Sequence, residues 1–181
     1  MRRLLLLPVL LAVLGCASKP GIQEASEQIR KHYPVIIRLT LPEQAETDQG
    51  SADHPRLLLL QRTLEQTGWF DVTASTKGKK VACSFSLKPD APATIKPILG
   101  GFSAPVAQGN FVKILKIEGK GNEARVTYEV KLEQPTTLFP LFQARFPESK
   151  LGETKERHAL FEKLSRGWVL KSTDEKLEKH S

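Results

Sequence analysis

The chain has 181 residues and a formal net charge of +7 at pH 7, from 27 Lys and Arg against 20 Asp and Glu. Basic and acidic residues are interspersed, so the sequence offers no basic patch of the kind that binds nucleic acid. The four histidines are scattered without paired metal-ligand spacing, which excludes the common zinc motifs, and no cofactor motif is present.

The first segment is typical of an export signal. Residues 1–3 are cationic, and residues 4–14 are apolar throughout. This run is shorter than the roughly 20 apolar residues that span a membrane, and it matches the apolar region of a signal peptide. It ends in the tetrapeptide VLGC, which places Cys16 at the end of the segment.

VLGC resembles the lipobox of bacterial lipoproteins, in which a small residue precedes an obligatory cysteine. The resemblance implies cleavage between Gly15 and Cys16, diacylglycerol on the sulfur of Cys16 and an acylated new N-terminus. Several acyl chains together anchor a protein stably. Ala17 stands where an Asp would resemble an inner-membrane retention signal, so the resemblance implies the outer membrane, on its periplasmic face.

The remaining length suits one domain. We predict a signal peptide at 1–15, a lipidated tether at 16–21, a single domain at 22–173 and a flexible charged tail at 174–181. The domain begins with a predicted helix at 22–32.

Extended and helical patterns then alternate. Pro34 prevents the first helix from continuing, and VIIRLTL at 35–41 has the period of a strand. The polar, acidic stretch 43–53 is predicted to be a loop. A second helix follows, with Asp53 as its cap and Gly68 at its end.

Period-2 alternation predicts hairpins in the rest of the chain. The first joins strands at 70–75 and 81–87, and the second joins strands at 111–118 and 123–132 through the turn GKGN. Residues 88–110, rich in Pro and Gly, are predicted to form a long irregular connection, a kind of segment that is often functional.

A last hairpin is predicted before the tail. For residues 153–163 we prefer a strand over a helix, because Gly167 before WVL is typical of a hairpin turn. The order of elements predicts an α+β fold with N-terminal helices packed on a curved, mostly antiparallel sheet built of successive hairpins.

Two stretches, EGKGNEARVTYEV and ALFEKLSRGWVLKS, resemble the long hairpins of cystatin-like and nuclear-transport-factor-like domains in small envelope lipoproteins. The resemblance covers about the last third of the chain and implies a fold class.

Catalytic constellations are missing from the sequence. There is no G-x-S-x-G elbow or phosphate-binding loop. Cys83, in the alternating stretch VACSFSL, is predicted to be a buried structural thiol. Cys83 and His158 could form a nucleophile–base pair, but no sequence feature places them close together. Glu129 and Glu133 are interpreted as surface charge.

Two features of the sequence could form a binding site. Tyr128, Phe85, Trp69 and Trp168 could line a pocket on the concave face of the sheet, or they could be ordinary core. The segment 135–147 is rich in apolar residues, which form either an exposed partner surface or a buried edge of the core. The candidate surface residues are Leu138, Phe139, Leu141 and Phe142.

The sequence therefore favours a lipid-anchored, non-enzymatic binding module that holds another envelope protein through residues 88–110 and 135–147. The alternative is a periplasmic carrier of a small ligand or lipid, with a pocket between sheet and helix. A third hypothesis is a hydrolase with a perturbed carboxylate or histidine in a cleft.

Overall fold

The computed structural model describes residues 18–174. The predicted signal peptide, the lipidation site at Cys16 and residues 175–181 of the predicted tail lie outside the described residues. Within them the chain has the predicted α+β fold, a curled antiparallel sheet with helices packed nearby.

The described residues form three helices and nine strands. The helices are α1 (Ile22–Arg30), α2 (His54–Thr67) and α3 (Phe139–Arg145). The strands are β1 (Val35–Pro42), β2 (Gln44–Asp48), β3 (Phe70–Lys77), β4 (Lys80–Leu87), β5 (Lys96–Ile98), β6 (Gly101–Lys120), β7 (Glu123–Glu133), β8 (Thr154–Leu164) and β9 (Gly167–Thr173).

Two antiparallel sheets carry the fold. The larger has the order β1-β6-β7-β8-β9, with β5 also paired to β6, and the smaller has the order β2-β4-β3. Strands β6 to β9 are neighbours in chain order, with α3 inserted between β7 and β8, whereas β1 reaches its partner β6 from far away in the sequence. All three predicted hairpins are confirmed, including the last one with its preferred strand at 153–163.

Strand β6 bends the larger sheet. Its register with β7 shifts between Phe111 and Lys113 and again between Ile114 and Lys116. Each shift leaves one extra residue on β6, Val112 and Leu115, and such bulges bend a strand and increase its twist. The first half of β6 can therefore pair with β1 while its second half continues into the β6–β7 hairpin.

The apolar residues form two clusters. The α2 core lies under α2 and α3, between the start of β6 and the small sheet. The α1 core lies between α1 and strands β7 to β9. The amide of Gln28 fastens α1 to β9, because it donates to the carbonyl oxygen of Trp168 at 2.7 Å and accepts from the N–H of Leu170 at 2.8 Å.

Two predicted loops are wrong. Residues 43–53 contain β2, which pairs with β4, and residues 88–110 contain β5 and the first half of β6. Gly100 makes the tight turn between β5 and β6 with φ +74°, and a Cβ on Gly101 would overlap the carbonyl oxygen of Leu41. These glycines allow close strand pairing, so they are not signs of an irregular connection.

The helix predictions hold with small shifts. Helix α1 ends at Arg30, close to the predicted end. Helix α2 ends at Gly68, which has the left-handed conformation that glycine adopts easily. Asp53 occupies the N-cap position, although its carboxylate binds Arg56 at 3.2 Å and makes no cap hydrogen bond.

Candidate functional site

Four residues within 135–147 were predicted to form an exposed surface, and this prediction is wrong for three of them. Leu138, Phe139 and Leu141 are buried, because α3 docks these side chains into the core. The alternative, a buried edge of the core, is what the structure has. Phe142 is half-buried and lines the pocket described below.

The four aromatic residues proposed for a common pocket lie in two different clusters. Tyr128 and Trp168 belong to the α1 core, and Phe85 and Trp69 contribute to the α2 core. The hydroxyls of Tyr33 and Tyr128 are 3.2 Å apart. The alternative stated above, that these four residues are ordinary core, is therefore confirmed, and they line no shared pocket.

Cys83 is a buried free thiol, as predicted. Its S–H donates to Oε1 of Gln61 at 3.8 Å. Burial, with a smaller contribution from the negative charge of Glu65, raises the pKa of this thiol. His158 lies on β8 in the other sheet, where its Nδ1 is 3.2 Å from Oδ2 of Asp174, so the fold does not assemble a Cys83–His158 pair.

A pocket of about 90 Å³ lies beside α3, where β1, β6 and β7 meet. Its apolar lining comes from all four of these elements. The apolar residues are Ile37, Gly109, Val130, Leu132 and Phe142. Because these side chains belong to strands and a helix, the floor of the pocket is held by regular structure.

The α3–β8 connection forms one wall of the pocket. The N–H of Gly152 donates to the carbonyl oxygen of Leu132 at 2.9 Å, which fastens the connection to the end of β7. The N–H of Ser149 donates to the carbonyl oxygen of Phe146 at 2.9 Å. Ser149 is buried, with its hydroxyl facing Lys155.

Charged side chains complete the lining. Nζ of Lys150 is 3.6 Å from Oε1 of Glu153, and both residues are exposed. Nζ of Lys155 donates to the hydroxyl of Ser149 at 3.1 Å, and Arg157 donates to the carbonyl oxygen of Glu156 at 3.0 Å. The lining thus combines an apolar floor with three cations and one carboxylate.

The pocket lining includes one side-chain hydroxyl, that of Ser149, which lies 3.1 Å from Nζ of Lys155. Within residues 18–174, no group of three or more His, Cys, Asp and Glu side chains is arranged to hold a metal ion. The pocket offers a hydrophobic surface and positive charge side by side.

Sequence reasoning missed the cations of this pocket, although a signal was present. On β8, Lys155 and Arg157 have the same parity as Ala159 and Phe161, which are fully buried. A strand that places two cations on its apolar face is unusual, because buried charge is costly without a partner. The alternation alone could have marked this face as a site.

Comparisons with protein-family models, with curated proteins and with solved structures find no match to this chain. No helix among the described residues is long and apolar enough for a membrane crossing.

Proposed function

We propose that the protein is a lipid-anchored, non-enzymatic binding protein of the bacterial envelope, and that it carries a small ligand in the pocket beside α3. The observation that supports this most is the pocket itself, with its apolar floor and charged rim between sheet and helix. Small-molecule sites combine an apolar lining with a few polar groups, and this pocket does so on a small scale, at about 90 Å³.

The anchor of this proposal is Cys16, with cleavage after Gly15 and a position on the periplasmic face of the outer membrane. The first described residues already touch the domain, since a Cβ on Gly119 would overlap the carbonyl oxygen of Ser18, and Pro20 is buried. A lipid on Cys16 would therefore hold the domain close to the membrane surface.

Holding another envelope protein is the second candidate. Residues 88–110 and 135–147 support it less than expected, because they form strands, a helix and core. One feature still favours it: Leu99, at the β5–β6 turn, is fully exposed at 103%, and the adjacent Ile98 is 40% exposed. Exposed apolar side chains at one place can mark a contact surface.

One experiment separates the two candidates. The full-length protein is crosslinked in intact cells, purified, and analysed by mass spectrometry for bound small molecules and for protein partners. A small amphipathic compound that is lost in Gly109→Ala and kept in Leu99→Ser supports the carrier. A discrete protein partner that is lost in Leu99→Ser and kept in Gly109→Ala supports the second candidate instead.

Cys16→Ala tests the anchor in the same preparation. We expect mass spectrometry of the wild type to find a diacylglycerol on an N-terminal Cys16. The Cys16→Ala protein should carry no lipid and should keep residues 1–15, because the lipobox has lost its cysteine. Cys83→Ala is the matched control and should be cleaved and lipidated like the wild type. A wild-type protein without lipid on Cys16 would contradict the anchor.

A further inference from the structure

The inner face of β8 carries two cations where the rest of that face is apolar. Val130 lies opposite Lys155, and Tyr128 lies opposite Arg157, in the antiparallel register of β7 with β8. Side chains directly opposite each other lie on the same face of a sheet. Because Val130 and Tyr128 are buried in the α1 core, Lys155 and Arg157 point to the core side of the sheet.

The hydrogen-bond partner of the Lys155 ammonium is a neutral hydroxyl. Nζ of Lys155 donates to this hydroxyl, that of Ser149, at 3.1 Å, and within residues 18–174 it forms no ion pair with a carboxylate. Lys150 differs, because Glu153 lies 3.6 Å from it. A half-buried ammonium held by a neutral partner favours an anion beside it, since the anion offsets the cost of removing the charge from water.

Gly109 keeps the apolar floor beneath this cation open. A Cβ on Gly109 would lie 3.3 Å from Cγ1 of Val130 and 3.9 Å from Cδ1 of Ile37, and both residues line the pocket. An apolar cavity of roughly 150 Å³ holds a benzene ring. The pocket, at about 90 Å³, therefore suits a short alkyl group, with the remainder of a longer chain outside its mouth.

We infer that the pocket binds an anionic amphiphile, with a carboxylate or phosphate head at Lys155 and the first part of an apolar tail over Gly109. This inference rests on the proposed carrier function and names the ligand class of the same site. Lys155 is assigned as the head-binding residue, and Gly109 determines how much of the tail can enter.

The test uses the full chain with Cys16→Ala, so that the protein carries no acyl chain of its own that could compete for the pocket. Hexanoate, hexyl phosphate, 1-hexanol and hexylamine are titrated separately, and binding is followed by NMR of labelled Ile, Leu and Val methyl groups. We expect hexanoate or hexyl phosphate to shift the methyl signals of Ile37, Val130 and Leu132. The neutral alcohol should bind about tenfold more weakly, because its hydroxyl offers the ammonium no negative charge.

Two variants locate the head and the tail. Lys155→Met should weaken binding of the anions about tenfold and weaken that of 1-hexanol much less. Lys131→Met is the matched control, since Lys131 lies on β7 next to Val130 on the opposite face. Gly109→Ala should weaken binding of every hexyl compound that binds, because its methyl group occupies the floor.

The outcomes distinguish failure of the anionic ligand class from failure of the carrier function. Equal binding of 1-hexanol and the anions, unchanged in Lys155→Met, would overturn the anionic ligand class and leave the carrier standing. Absence of methyl shifts with all four compounds would overturn the ligand class and the carrier together. A preference for hexanoate over hexyl phosphate, or the reverse, identifies the head group as a carboxylate or a phosphate.

Discussion

Strand β8 has two halves that differ although they lie on the same face of one sheet. Towards its end, Ala159 and Phe161 are 2% and 0% exposed in the α1 core. Towards its start, Lys155 and Arg157 are half-buried and line the pocket. The difference follows from what covers each half: Ala159 and Phe161 cluster with residues of α1, whereas Lys155 and Arg157 face a pocket that is open to solvent.

This contrast shows that the covering element, more than the sheet itself, decides which side chains a face can carry. Under a fastened helix, a position must be apolar and of the right size, because burial there removes it from water entirely. At the open half, a lysine or arginine can place its apolar stem on the sheet and its charge at the rim.

The largest effect is expected when a cation is moved into the closed half. Ala159→Lys would place an ammonium opposite Val126 under α1. A buried lysine whose pKa falls by about four units costs roughly 5 kcal/mol at neutral pH. Urea unfolding should show this loss, and the part due to charge should shrink as the pH rises towards the ordinary pKa of lysine.

Ala159→Met is the matched control, because it adds a chain of similar length without a charge. It should measure the cost of overpacking alone, about 1–3 kcal/mol. If both variants lose the same free energy of unfolding at every pH, water reaches position 159 and the covered half of β8 is not sealed.

A much smaller effect is expected when the cation of the open half is removed. Lys155→Met loses one hydrogen bond to the buried hydroxyl of Ser149, so the free energy of unfolding should fall by about 1–2 kcal/mol. Urea unfolding without ligand checks this, with Lys131→Met beside it. A loss of about 3 kcal/mol or more in Lys155→Met would show that the ammonium stabilises the fold, and would weaken its assignment to ligand binding.

The smallest effect on stability is expected at Glu133, on the solvent-facing side of β7. Lys131, 2.8 Å from Glu133, and Asn110 lower the pKa of the Glu133 carboxyl. A carboxyl with a lowered pKa contributes stability above its ordinary pKa and loses that contribution as the pH falls through the folded value. Because this pair is exposed, the change in stability should be slight.

NMR titration of Glu133 measures this directly. In Lys131→Met the pKa should rise towards that of an ordinary glutamate, because the cation that stabilises the carboxylate is gone. The same titration in Lys155→Met should be unchanged, since Lys155 lies on the other face. A shift in Lys155→Met comparable to that in Lys131→Met would contradict the separation of the two faces.

Local pattern predicted much of the fold. The alternation Val81, Cys83, Phe85 correctly identified the buried face of β4, and Gly68 correctly ended α2. Such features depend on neighbouring residues along the chain, which is why they can be found without knowledge of the fold. The loop predicted at 88–110 was wrong because Gly101 and the strand that follows it pair with β1, which is far away in the sequence.

The candidate site was predicted less well than the fold. The apolar residues around Pro140 were visible, but whether they face water or core depends on where α3 docks. The pocket draws on β1, β6, β7, α3 and the start of β8, so its members are scattered through the chain. Only Phe142, among the predicted surface residues, belongs to it.

By itself, the sequence determined the period of each element, the turns of the hairpins and the likeness of VLGC to a lipobox, because these properties are local. The tertiary structure alone decided that Leu138 is core, that the aromatic residues belong to two clusters, and that Lys155 and Gly109 meet at one pocket. The physical reason is that burial depends on which distant segment covers a side chain, and that is settled only when the sheet curls and the helices dock on it.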